Sequence, residues 1–248
     1  MKKIFFSALF LLFITGSAQY YQVEYTFKRL QAPESEMTRL ENKKLNRMAM
    51  SYVNDMLAYY ALHRYILKFT EQESYYYVDA MEMPDDVSNP SMYKISLQGP
   101  IRAGNFYQNA RTKEIRNSRE TAGTLYLITG NMDAYDWKIT GETKKINNYH
   151  CIKAILKCEG CKNPVEVWFT PEIPVPFGPA GYGGLPGLIL EIKQFLNVLT
   201  LKKIKKLKNK PRIPVPGKGI KITEDEYRQL IMQRRMEAIR RKKASSGG

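Results

Sequence analysis

The sequence predicts a mainly β (α+β) single domain: a curved antiparallel sheet, or half-barrel meander, with a helical excursion near its start and a helix at its C-terminus. Three observations carry that prediction. Short runs of alternating apolar residues recur at close intervals between turn residues, the pattern of antiparallel strands. Only two stretches, 34–60 and the residues after Thr223, change to helical spacing. One Pro- and Gly-rich segment, 171–187, is apolar rather than polar, and such a segment needs an open sheet face to fold against.

The chain of 248 residues suffices for one domain with a proper core. Met1-Lys2-Lys3, the apolar run Ile4–Ile14 and the small residues Thr15-Gly16-Ser17-Ala18 read as a secretory signal peptide over 1–18. That run is too short to cross a bilayer, and cleavage is expected after Ala18 or Gln19. The expected location is therefore the periplasm or the periphery of the outer membrane, with no transmembrane segment once the signal is removed. Tyr21, Val23, Tyr25 and Phe27 alternate along a first strand, 20–28. Met37, Leu40, Leu45, Met48, Val53, Met56 and Leu57 then recur at helical spacing, with ordinary packing favoured over a methionine copper site.

Residues 62–69 and 75–79 read as strands around the turn Thr70–Ser74, and 84–100 as loop. From 104 the strand pattern resumes at 105–110, 113–116, 124–129 and 136–140. Tyr149–Lys157 pairs with Val165–Thr170, and Leu188–Lys193 with Val198–Ile204. Residues 19–204 thus form the β-rich domain and 205–220 a Lys- and Pro-rich linker. Thr223-Glu224-Asp225-Glu226 is a capping box that opens a basic helix over 221–244, with acidic residues in its first turn and basic ones in its last.

The net charge of +15 is unevenly spread. Lys202–Lys243 holds sixteen Lys and Arg against four Asp and Glu, leaving a near-neutral body and a basic tail. Export and the lack of interleaved aromatic residues argue against nucleic acid. A polyanionic envelope surface is the partner such a tail suits, against the plainer reading of a solvated helix.

Cys158-Glu159-Gly160-Cys161 joins two strand-like runs and reads as a two-residue hairpin loop with flanking cysteines opposed, a disulfide candidate rather than a redox motif. Cys151 reads as a buried core thiol or a lone exposed one. His63 and His150 lie far apart, outside metal-ligand spacing, so no metal or cofactor is expected. No nucleophile–base–acid set can be assembled, which favours a binding protein over an enzyme. Gly181-x-Gly183-Gly184 is no phosphate loop: no Gly-Lys-Ser/Thr follows, and Pro186 removes a donor.

Ten of the seventeen residues in 171–187 are Pro or Gly, yet Ile173, Val175, Phe177, Tyr182 and Leu185 lie among them. Proline forbids a helix interior or central strand here, and glycine lets other backbone come close. Gly184-Leu185-Pro186-Gly187-Leu188-Ile189 resembles the signature of the GLPGLI family, exported proteins typical of Bacteroidota. Trp168–Pro179 before it, and Trp137, Ile146 and Tyr149–Ala154 upstream, resemble that family too.

The resemblance implies no biochemical activity, but genes of the family often neighbour those of TonB-dependent receptors. A non-enzymatic periplasmic or outer-membrane-associated binding or accessory protein, linked to envelope transport, is therefore the expectation. Its candidate ligand- or partner-binding residues are Trp168, Glu172, Pro174, Phe177, Gly178, Pro179, Tyr182, Gly184, Leu185, Pro186, Gly187, Leu188 and Ile189. The expected partner is a periplasmic or outer-membrane protein. One alternative is a carrier of a hydrophobic ligand in the sheet's concavity, similar in architecture to LolA/LolB-type carriers. The other is an envelope hydrolase or a thiol oxidoreductase using Cys158 and Cys161.

Overall fold

A computed structural model describes residues 19–31, 47–80, 82–83, 85, 89–102, 104–158 and 163–245, with side chains from Tyr52 in the first helix and up to Arg241 in the last. The expected signal peptide and the first half of the helical excursion lie outside the described residues.

The strands are β1 (Tyr20–Arg29), β2 (Arg64–Phe69), β3 (Glu73–Asp79), β4 (Phe106–Asn109), β5 (Glu114–Thr121), β6 (Thr124–Asn131), β7 (Trp137–Ile146), β8 (Tyr149–Leu156), β9 (Glu166–Thr170), β10 (Leu188–Gln194), β11 (Asn197–Leu207) and β12 (Ile220–Thr223). The helices are α1 (Arg47–Leu62), α2 (Pro90–Ser96) and α3 (Glu224–Ser245). One curved, open sheet runs in the order β12-β6-β5-β4-β3-β2-β1-β11-β10-β9-β8-β7. β1, at the chain's start, sits mid-sheet between β2 and β11. The predicted mainly β architecture with a C-terminal helix is the observed one.

One face of the sheet carries the core. Val23, Tyr25 and Phe27 of β1, Tyr65, Leu67 and Phe69 of β2, Val167 and Phe169 of β9 and Leu199 and Leu201 of β11 alternate inward and are buried. Alternation follows from the period of two along a strand. The opposite face is laced with ions: Lys153 bridges Glu142 and Glu166, Lys193 meets Glu166, and Lys144 meets Glu191. The half-buried Trp168 lies among them, with Lys144 Nζ 4.3 Å from its ring centre.

In three places the structure departs from the expectation. Residues 84–100, read as loop, contain α2: Asn89 accepts from the N–H of Met92 and Pro90 takes the first helical position, a strong start signal for a helix of just under two turns. Residues 205–220, read as linker, give Leu207 to β11 and Ile220 to β12. β12 pairs parallel with β6, against an otherwise antiparallel sheet, because the chain crosses from β11 to the far edge before pairing. The expected two-residue turn of the C-x-x-C hairpin, Glu159-Gly160, lies outside the described residues. β8 ends at Leu156 and the last bond of its ladder joins Leu156 N–H to Val165, so Cys158 stands beyond the paired strands in a longer connection. Cys161 lies outside the described residues, and with it the predicted disulfide.

Candidate functional site

The segment 171–187 lies down on the concave face, over β2, β3 and β4. Phe177 and Leu188 are wholly buried, as are Ala180, Tyr182 and Leu185 to within a few per cent. Phe69 and Phe177 approach with ring centres 6.2 Å apart. A crossover buried this way must place every backbone polar group. It does so partly on itself: Ile189 N–H donates to Phe177, Gly184 N–H to Pro176 and Leu188 N–H to Ile173.

Side chains from the sheet and its corners satisfy the rest. Gln108 on β4 donates to the carbonyls of Gly181 (3.2 Å) and Tyr182 (3.0 Å). Trp137 Nε1 donates to Gly183 (2.8 Å), Tyr135 to Gly181 (3.1 Å) and Tyr25 to Ile189 (2.7 Å). Glycine is required where these approaches are closest. A Cβ at Gly181, whose φ is +75°, would meet the Phe106 ring at 2.3 Å.

Arg102 ties this crossover to the C-terminal segment. Its Nη1 donates to Tyr135 Oη (2.7 Å) and to the Ala180 carbonyl (3.3 Å), and its Nη2 to Glu224 on α3 (2.8 Å). The guanidinium lies 4.8 Å from the centre of the Phe106 ring and 5.2 Å from that of Tyr182. Burial disfavours the charge, but Tyr135 and Glu224 outweigh it and hold Arg102 protonated, above the usual arginine range. Burial pushes the Tyr182 phenol up to about 12, so it stays neutral.

A cleft of about 440 Å³ opens beside this arginine. Its floor is a row across three strands, Phe106 on β4, Asn117 on β5 and Ile128 on β6, which are register partners. Its walls are the 98–102 connection, with Gln98 and Arg102, and the start of α3, with Glu224 and Tyr227. Arg119 reaches in from β5, its guanidinium 5.5 Å from the Tyr227 ring centre and 3.4 Å from Gln98 Oε1. Two cations against one carboxylate leave the cleft electropositive, with aromatic and amide surfaces alongside.

Sequence-predicted site residues divide. Phe177, Gly178, Pro179, Tyr182, Leu185, Gly187, Leu188 and Ile189 are buried in the crossover. Glu172, Pro174, Gly184 and Pro186 are exposed, and Trp168 is half-buried on the opposite face. Glu172 and Pro174 line a second cleft of about 510 Å³ at the root of the crossover, with Tyr21, Phe69 and Glu71. Glu172 also accepts the His150 N–H at 2.7 Å. Cys151 is a buried free thiol, pushed by burial up to about 11. His63 is buried against Ser96 (2.7 Å), far from His150. No group of three metal-ligating side chains occurs among the described residues, and no described helix is long and apolar enough to cross a membrane.

The sequence reading missed Arg102, Gln108, Arg119 and Tyr135. One signal existed: Gly99-Pro100-Ile101-Arg102-Ala103-Gly104 sets an arginine between glycines that both adopt positive φ, +97° and +103°.

A family model described as the N-glycanase peptide, N-terminal domain, is similar to residues 108–227, a little under half of the chain. That span runs from Gln108 through the crossover to Tyr227. Two solved structures share the fold. PNGF-II in a P21 crystal form has a TM-score of 0.54 at 16% identity, with 87% of this chain and 33% of that chain covered. PNGF-II in a C2 form has a TM-score of 0.51 at 18% identity, with the same coverage. The chain thus spans about a third of the length of these structures. No curated protein matches the sequence.

Proposed function

We propose that the protein is a non-enzymatic, exported binding module of the cell envelope, of the GLPGLI type, whose ligand site is the cleft between Arg102, Arg119 and Tyr227. The observation that carries this reading is the division of labour around Arg102. The signature crossover fills the concave face with its own apolar side chains, so the sheet's hollow favours a structural plug over a lipid cargo. The same crossover anchors Arg102 through Ala180 and Tyr135. The surface left open beside it is polar, positive and aromatic.

Arginine and side-chain amides present planar donors, and phenol and phenyl rings present flat apolar faces. That combination suits an acidic saccharide, with guanidinium groups on its carboxylate and rings against its sugar faces. The similarity to a domain named for an N-glycanase supports a saccharide as the ligand, and the two arginines supply the preference for an acidic one. The protein is titrated with uronic-acid-containing and neutral oligosaccharides of equal length, followed by calorimetry. Preferential binding of the acidic series is expected, with Arg119→Gln lowering affinity about tenfold, as for a lost charged hydrogen bond. Equal binding of both series, or an unaltered Arg119→Gln, counts against the proposal.

A second reading keeps the signature loop itself as the contact. Glu172 and Pro174 line the cleft at its root, where Glu71 adds a second carboxylate, a surface for a basic segment of an envelope protein. Glu172→Gln and Glu71→Gln together would weaken capture of such a partner while leaving saccharide binding intact.

A further inference from the structure

α3 has two apolar sides, and only one is used. Tyr227, Leu230 and Ile231 pack on Tyr126, Ile128 and Ile222 of the sheet edge. Arg234, reaching Tyr126 Oη at 3.5 Å, makes the last contact with the body. From Arg235 to Arg241 every side chain is exposed. The helix runs on to Ser245, about 16 Å past that contact at 1.5 Å per residue. A free helical extension of so few residues is marginal in water unless one of its faces is covered.

The uncovered face has a definite chemistry. Met232, Met236 and Ile239 are 62%, 53% and 43% exposed and recur at i, i+4 and i+7, one stripe on the side away from the docked residues. Arg228, Arg235 and Arg240 fall along its margins at helical spacing. After Tyr227 the helix carries seven basic residues and one acid, Glu237, which lies on the far side from the stripe. Phosphate contact alone would leave the apolar stripe in water. Apolar docking alone would leave the positive charge along its margins largely uncompensated, since among the described residues only Arg228 of the three is ion-paired, with the exposed Asp225. A bilayer surface with anionic headgroups meets both needs: arginines at the phosphates, and methionine and isoleucine side chains at the acyl boundary.

We propose that the outer face of α3 is a membrane-docking surface, in which Met232, Met236 and Ile239 insert at the interface of an anionic bilayer while Arg228, Arg235 and Arg240 engage its headgroups. The inference is independent of what occupies the Arg102 cleft. Docking would hold the sheet to the membrane through β12, the packing of Tyr227, Leu230 and Ile231 on the sheet edge, and the Arg102–Glu224 pair.

The test uses the full chain and vesicles of phosphatidylethanolamine with an equal part of phosphatidylglycerol, against vesicles of phosphatidylcholine alone, read by co-sedimentation. The chain is expected to bind the anionic vesicles, weakly or not at all the neutral ones, and less as salt rises. The triple variant Arg228→Gln, Arg235→Gln and Arg240→Gln should weaken binding about a hundredfold, at roughly fivefold per surface charge. The triple variant Met232→Gln, Met236→Gln and Ile239→Gln should weaken it about tenfold or more, although all three residues are exposed and circular dichroism should not change. Met236→Trp should add an emission component to that of the native Trp137 and Trp168 that shifts to the blue on adding anionic vesicles. Equal binding to neutral vesicles, full binding by the apolar-stripe variant, or a tryptophan that stays in water would each overturn the proposal. So would self-association through the stripe with no vesicle binding.

Discussion

At the residue scale, the crossover is a problem of buried carbonyls and close backbone. Gln108 serves two carbonyls in a wholly buried site, sharing that of Gly181 with Tyr135. Gln108→Leu keeps the size and removes both donors. It should cost about 2–3 kcal/mol in a denaturant titration, because the Tyr182 carbonyl loses its side-chain donor, the Gly181 carbonyl keeps only Tyr135, and the buried Ser74 hydroxyl loses its acceptor. The glycines of the signature divide by cause. Gly184 has φ +86°, which disfavours any side chain, whereas Gly187 lies outside that region and is needed for space: a Cβ there would sit 2.2 Å from the Thr170 carbonyl oxygen. Gly187→Ala should cost roughly 1–3 kcal/mol from overpacking. Gly217→Ala, which meets nothing within 4 Å, should stay within about 0.5 kcal/mol of wild type.

At the element scale, a β-bulge sets up the one nearly buried ion cluster of β1. The register slips between Glu24 and Tyr25, leaving Lys202 as the extra residue on β11. Neighbours on a strand normally point to opposite faces, and the bulge lets both Lys202 (2.9 Å) and Lys203 (3.1 Å) reach Glu24. Burial alone would raise the Glu24 pKa, but the two lysines outweigh it and hold it below the usual carboxylate value. A lowered folded-state pKa stabilises above the unfolded value, near 4.5, and that stability is lost as the pH falls through the folded-state value. Glu24→Gln should therefore lower Tm at neutral pH and flatten its fall on acidification. α3 has its own start signal, with Thr223 Oγ1 accepting the Glu226 N–H at 3.2 Å and Glu226 returning to the Thr223 N–H at 2.8 Å. Thr223→Ala should cost about 1 kcal/mol, read as faster amide exchange in α3 before the sheet is affected.

At the scale of the whole molecule, Arg102 joins parts distant in sequence: the 98–102 connection, the Tyr135 corner, the crossover at Ala180 and α3 at Glu224. Besides the Glu224 pair, the β12–α3 segment is held by one short parallel strand, the packing of Tyr227, Leu230 and Ile231, and the hydrogen bonds of Tyr227 with Thr121 and of Arg234 with Tyr126. Arg102→Gln should free that segment ahead of the sheet, seen as proteolytic cleavage within 208–219 under conditions where β1–β11 remains protected. Cleavage at wild-type rates would show that the sheet edge alone retains the C-terminal helix.

Much of this architecture could be read along the chain. Residues such as Tyr21, Val23, Tyr25 and Phe27 alternate, so the strands and their inward faces were legible, because period and burial are local properties. The capping box at Thr223 and the folding-down of 171–187 were legible for the same reason: proline, glycine and apolar side chains constrain their own segment. The direction of β12 and the cleft were not. They depend on which distant segment lies alongside, as when Ile222 finds Ile128 or Glu224 finds Arg102 from 122 positions away. An arginine in a Gly-flanked loop looks the same in sequence whether it faces water or stacks between Phe106 and Tyr182. That choice was made in three dimensions, where a buried charge persists only with partners close enough to keep it.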